Sequence, residues 1–187
     1  MSGNPRPSSD RPAPDRRVER SRAALLRAFN QLILERGFDA LTAADVADAA
    51  NVARSTFYAH YNSLSELLSV AIGPILAPLA HAAVGDSPGL IAMLDHIWEN
   101  RVMARSLLAG DNRRPLVQLL ASQIEAHMVE AGGACGGKIS LWALQVAGGQ
   151  LTLLELWLCG RLRAPPTEIA EALRIPAALS SVVRSPP

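Results

Sequence analysis

The stretch "GFDALTAADVADAANVARSTFYAHYNSLSELL" (residues 37–68) decides the fold, because two short helices and a tight turn can be read directly from it. Gly37, following Arg36, is a stop signal for the helix before it. Thr42 and Asp45 have the spacing of a capping box, with Asp in the usual Glu place, and open a short helix through "LTAADVADAA". Asn51 tolerates a left-handed turn. A further helix is expected from about Ala53 to Tyr61, and Ser63 with Glu66 forms a second capping box that starts a longer helix at Leu64. A capped short helix, a tight turn and a second short helix make a helix-turn-helix.

Helical periodicity assigns faces to the second of these helices. Ala53, Phe57, Tyr61 and Leu64 fall on one stripe and are expected to face the preceding helices. The opposite side presents Arg54, Ser55, Tyr58 and Asn62, with Thr56, Ala59 and His60 at its margins. Such a set suits a DNA groove. Arg54 lies near the helix N-terminus, where base edges are met, and a guanidinium pairs bidentately with guanine. Hydroxyl and imidazole groups donate to phosphate oxygens, which set register without reading sequence. Small Ala59 lets the helix sit deep. The plainer alternative is an amphipathic hairpin with a polar solvent face.

Working outward, residues 1–15 hold four prolines and no periodicity and read as a disordered arm. Helical spacing begins at Arg16, with Val18, Leu25, Phe29, Leu32 and Ile33 on one face. Residues 1–36 carry eight Arg against Asp10, Asp15, Glu19 and Glu35, while the whole chain has a formal charge of only +1. Attraction to a polyanion therefore depends on local clustering and not on net charge. After Leu64, Pro74 and Pro78 are expected to kink or interrupt the helix. Residues 87–110 and 113–132 look amphipathic, and "GGACGG" separates them from "KISLWALQVAGGQLTLLELWLCGRL" (138–162). That last segment is hydrophobic almost all round, which suggests burial against a second subunit. Pro165-Pro166 ends it, Thr167 is placed to cap the next helix, and "TEIAEALRI" runs on to Pro176. The class is all-α.

Composition narrows the function. Of the 187 residues 49% are hydrophobic but only 4% aromatic, so the core must come from Ala, Leu, Val and Ile. Cys135 and Cys159 lack any metal or redox spacing and suit a reducing compartment. The apolar run 70–84 is broken by its prolines and is read as too short for a bilayer, and no leader is visible, so a soluble cytoplasmic protein is expected. The histidines at 60, 81, 96 and 127 offer no converging pairs: His96 and Glu99 lack a partner pair, and Glu125 and His127 point to different sides of a helix. No nucleophile elbow, phosphate loop or zinc-protease motif is present. Neither catalysis, a metal nor a cofactor is expected.

The segment 37–68 closely resembles the DNA-binding part of tetracycline-repressor (TetR) family regulators. The agreement lies in Gly37-Phe38, Thr42, Asp45-Val46-Ala47, Ala50, Val52, Thr56, Tyr58, His60, Tyr61 and Leu67-Leu68. Beyond it only the layout agrees, with "GGQLTLLELWLCGRLRAPPTEIAEAL" (148–173) similar to the family's closing helix pair. The resemblance implies a DNA-binding domain at 16–63 and an effector-binding and dimerisation domain at 64–187. Thr42, Thr56, Tyr58, His60 and Asn62 would then meet DNA around Arg54 and Ser55, which would lie over the bases. It implies a homodimeric repressor on a palindromic operator, released by a small apolar effector. Met93, Trp98, Met103, His127, Met128 and Trp142 are candidate lining residues, with core packing the competing role for each. Gly148, Leu151, Leu154, Trp157, Leu158, Ile169 and Leu173 are candidates for the dimer seam, again against core burial. Three departures stand out. Asn51 replaces a turn glycine, Ala53 the usual capping Ser or Thr, and Leu64 a Lys whose phosphate contact Arg16, Arg17, Arg20 or Arg22 would have to supply. Those losses motivate an alternative: a dimer of the same fold that binds DNA non-specifically or binds a protein, without an effector.

Overall fold

The computed structural model describes residues 13–85, 87–109, 112–130 and 140–174. Among these residues there are nine helices and no strand. The first three, α1 (Ala13–Arg36), α2 (Ala43–Ala49) and α3 (Arg54–His60), pack together at the N-terminal end. The remainder, α4 (Leu64–Val84), α5 (Leu90–Glu99), α6 (Arg101–Leu108), α7 (Arg113–Glu130), α8 (Leu141–Leu158) and α9 (Pro166–Leu173), form a helical body continuous with them. The class is all-α, with a helix-turn-helix domain followed by a helical domain.

Helix α1 starts at Ala13, three positions before the expected Arg16, and the rest of the anticipated arm, residues 1–12, lies outside the described residues. Its inward stripe is Leu25, Phe29, Leu32 and Ile33, all buried, while Val18 is exposed near the start. Phe29 meets Phe38 edge-on, with centroids 6.4 Å apart. The helix stops where Gly37 takes φ +79°, a conformation a β-carbon would strain.

The capping box at Thr42 is complete. Thr42 Oγ1 accepts from the Asp45 backbone N–H at 3.2 Å, and Asp45 Oδ2 accepts from the Thr42 backbone N–H at 2.8 Å. The Thr42 hydroxyl donates to the same carboxylate oxygen. These bonds, the hydroxyl first, together with Arg36 at 3.7 Å, hold the Asp45 carboxyl below the ordinary carboxylate value. Asn51 adopts φ 54° and closes the turn into α3. At the next start Ser63 Oγ accepts from Glu66 N–H at 3.1 Å, but the Glu66 carboxylate reaches back to Asn62 N–H at 2.7 Å instead of Ser63. The reciprocal half of that box is therefore displaced by one residue.

Pro74 and Pro78 do not interrupt α4, which runs for 21 residues. Each proline removes an N–H from the ladder. Side chains from packed neighbours reach carbonyls around the two prolines: Gln123 Nε2 donates to Gly73 O and Gln150 Nε2 to Leu79 O, both at 3.0 Å, and Ser87 Oγ donates to Pro78 O at 2.6 Å. The apolar run is consequently longer than 70–84. By length and composition α4 would suffice to cross a membrane, yet half of the relevant window is buried against other helices, as in a core helix.

Residues 87–110 divide at Asn100 into α5 and α6. Helix α9 begins at Pro166, with Pro165 before it and Thr167 inside its first turn, so Thr167 is not the cap; the helix ends at Leu173, before Pro176. Helix α8 is not buried on every side. Ala143, Ala147, Leu151, Leu154 and Leu158 face the core, whereas Leu141, Gln145, Gly149 and Thr152 are exposed. Its all-round apolar character includes Leu141 and Gly149, on a face that the single chain leaves uncovered.

Candidate nucleic-acid interface and ligand cavity

Helix α3 is seated by two aromatic anchors. Phe57 is fully buried and Tyr61 nearly so, with ring centroids 5.9 Å apart. Ala53 is not on this inward stripe: it is the exposed N-terminal flank of α3 and offers no side-chain cap. Leu64 is half-buried beside the anchors. The Tyr61 hydroxyl is buried with no hydrogen-bond partner, so Tyr61 contributes through its ring and not its polar end.

On the outer face Arg54, Ser55, Tyr58 and Asn62 are exposed, with Thr56 and His60 half-buried at its edges and Thr42 exposed at the start of α2. The Arg54 guanidinium lies over the Tyr58 ring, 5.6 Å from its centroid, and Arg54 Nη2 donates to Tyr58 Oη at 3.4 Å. Tyr58 is in turn braced edge-on by Phe57 at 5.3 Å. The bond that Arg54 donates to the Tyr58 hydroxyl holds the Arg54 charge on even more firmly than usual. Arg54 and Tyr58 therefore form a preorganised cationic and aromatic pair on a rigid, buried base.

Three of the anticipated contacts have internal duties. His60 Nε2 lies 2.7 Å from Ser21 Oγ, which ties α3 to α1. Asn62 Nδ2 donates to Glu66 Oε2 at 2.8 Å, and the Thr42 hydroxyl serves the α2 cap. Ser21 went unnoticed in the sequence because its partner is 39 positions away. The arginines at 16, 17, 20 and 22 are all exposed on the turns of α1 that carry Ser21, adjacent to the reading helix.

A cavity of about 430 Å³ opens between the N-terminal helices and the body. Its floor is apolar and buried, formed by Ile72 and Leu76 of α4, Leu116 of α7, and Leu151 and Leu154 of α8. Its rim is polar, with Asn30 and Gln31 of α1, His96 of α5 and Asn100. Of the six lining candidates only Met103 belongs to it. Met93 is buried in the core, and Trp98 stacks on Trp157 at 4.8 Å under the Arg101 guanidinium. His127 stacks on His81 at 3.9 Å and hydrogen-bonds Glu130 at 3.1 Å, while Met128 and Trp142 pack at the edge of the core. Leu151 and Leu154 are at the cavity, not on an outer surface. With Trp157, Leu158, Ile169 and Leu173 they are taken up by this chain's own core, at most 3% exposed. Gly148 alone of that set faces outward, with nothing within 4 Å of a β-carbon placed on it. Cys135 lies outside the described residues, among which no cluster of three or more His, Cys, Asp or Glu side chains is placed to hold a metal ion.

Residues 21–71 match the family model described as bacterial regulatory proteins, tetR family. That match covers the helix-turn-helix segment and the start of α4. The matched segment runs from the Ser21 bridge through α3 into α4, and it contains every residue of the Arg54 face. Over 108 residues the chain is 32% identical to YxbF of Bacillus subtilis (strain 168), an uncharacterized HTH-type transcriptional regulator. That alignment covers 57% of this chain and 27% of the relative, so this chain spans about a quarter of that protein's length. A TetR transcriptional regulator from Streptococcus agalactiae 2603V shares the fold, with a TM-score of 0.54 at 22% identity over 92% of this chain and 98% of the other. A TetR-family regulator from Streptomyces coelicolor A3 does so at 0.53 and 21%, over 97% of each chain.

Proposed function

We propose that this chain is a TetR-family regulator that works as a homodimeric repressor, binds a palindromic operator and is released by a small apolar effector. The exposed Arg54–Tyr58 pair on α3 carries the reading. Arg54 would address a guanine edge, with Ser55 beside it over the bases. Thr42, Thr56, Tyr58, His60 and Asn62 would meet the phosphates, His60 through the nitrogen that Ser21 leaves available. On this reading residues 16–63 would serve DNA and residues 64–187 the effector and the dimer. Two copies would associate through the uncovered side of α8, where Gly148, Gly149 and Thr152 permit close approach. Reading helices in successive major grooves require half-sites about one helical turn apart. Selection of bound sites from random DNA tests this: a palindrome with that spacing is expected, and recovery of single half-sites would refute the dimer.

A second reading rests on α3's uncapped start at Ala53 and on half-buried Leu64 in place of a phosphate-binding base. Here the dimer would bind DNA without sequence preference, or bind a protein, and would take no effector. The same selection would then return a featureless pool.

A further inference from the structure

A second cavity, of about 320 Å³, lies in the seam between the turn that joins α1 to α2, the start of α4 and the first half of α7. It shares no lining residue with the apolar cavity described above. Its origin is in the sequence. Helices α4 and α7 run side by side in one direction, with Gln123 against Gly73 and His127 stacked on His81. Nearer their starts the seam is flanked by Ser65 and Ser69 on α4 and by Ser122 on α7, where larger side chains would close it. Leu68 and Leu119, both buried, form an apolar floor.

The walls carry one charge of each sign. Asp39, in the turn after α1, and Arg114, on α7, both line the cavity and are exposed. Neither forms an ion pair with the other or with any other described residue. Gln118 stands one helical turn after Arg114 on the same face, so a guanidinium and an amide can donate side by side. Ser69 and Ser122 have spent their hydroxyl protons on carbonyls of their own helices, Ser65 O at 2.9 Å and Leu119 O at 2.7 Å, which leaves each oxygen as an acceptor. A lone anion drawn to Arg114 is repelled by Asp39, and a lone cation drawn to Asp39 is repelled by Arg114. A molecule that bears both charges close together satisfies both walls at once.

We propose that this cavity binds a small zwitterion of the α-amino-acid type with an apolar side chain. Its carboxylate meets Arg114 and Gln118, its ammonium meets Asp39 and the serine oxygens, and its side chain lies on Leu68 and Leu119. The two charged groups of such a molecule are attached to one carbon, so a cavity of this size accommodates both. Binding here requires neither DNA nor the effector of the proposed repressor.

Isothermal titration calorimetry of the full chain with L-leucine tests the site, alongside two probes that keep its branched body and one head each: isocaproate, an anion, and isoamylamine, a cation. Saturable binding of leucine is expected, with each single-headed probe weaker by about fivefold or more. Arg114→Gln should weaken leucine by about fivefold or more and improve the amine relative to the acid. Asp39→Asn should weaken leucine likewise and improve the acid relative to the amine. Both positions are exposed, so the fold tolerates the changes. Ser122→Phe fills the cavity from an exposed position and should abolish leucine binding while circular dichroism stays helical. No saturable binding of leucine, equal binding of the three probes, or wild-type leucine affinity in either charge variant or in Ser122→Phe overturns the inference.

Discussion

Asn112 Oδ1 accepts the backbone N–H of Phe38 at 2.6 Å, joining the turn after α1 to the start of α7 across 74 positions of sequence. Asn112 is buried, and it lies four residues from both Leu108 and Leu116 of the cavity wall. One bond thus fixes the helix-turn-helix to the body beside the cavity. Asn112→Ala would leave the Phe38 N–H without its acceptor, at a cost of about 1–3 kcal/mol. Thermal unfolding should show a lower Tm, and operator affinity should fall at temperatures where the variant remains folded. An unchanged Tm would mean that water replaces the amide.

Tyr61→Phe should stabilise the protein or leave it unchanged. The ring packs in the core while the hydroxyl is buried and unpaired, so the substitution removes only a desolvated polar group. Urea unfolding should give an equal or higher midpoint; a midpoint lower by more than about 1 kcal/mol equivalent would reveal an unseen partner.

Arg54→Ala and Arg54→Lys distinguish base reading from general attraction. Lys keeps the charge but loses the planar fork and its stacking on Tyr58. Both variants should bind the selected operator about tenfold or more weakly and accept any base at one position of each half-site. If Lys restores full affinity and preference, Arg54 acts on phosphate instead.

Acid should loosen the start of α2. The Asp45 carboxyl is held below its ordinary 3.8 by the Thr42 hydroxyl, the Thr42 backbone N–H and Arg36. A depressed carboxylate stabilises fully above its unfolded value, and that contribution is lost as pH falls from about 3.8 through the lower folded value. Asp45→Asn should therefore melt below the wild type near neutral pH, with the gap closing under more acid conditions than 3.8. A gap independent of pH would show that the carboxylate charge is not what the cap uses.

Much of the N-terminal third was legible because its signals are local. Thr42 with Asp45, Asn51, and Phe57 four residues before Tyr61 are each read over one turn of chain, and each behaves as its spacing implies. Ala53 was misassigned because periodicity says nothing about where a helix begins. The second half was less legible. An apolar residue on α8 reads the same whether it faces its own core, a cavity or another chain. Leu151, Leu154 and Trp157 were therefore assigned to a seam, although the first two floor the cavity and the third stacks on Trp98.

The all-α class, the helix-turn-helix and its outward face are written locally, since caps, stops and 3.6-residue periodicity act between near neighbours. The continuity of α4 through its prolines, the Ser21–His60 and Asn112–Phe38 bonds, and the place of the cavity emerge from the folded chain alone. Those features join residues tens of positions apart, or arise where six helices fail to fill the space between them. They depend on the relative placement of whole helices, which no local pattern encodes.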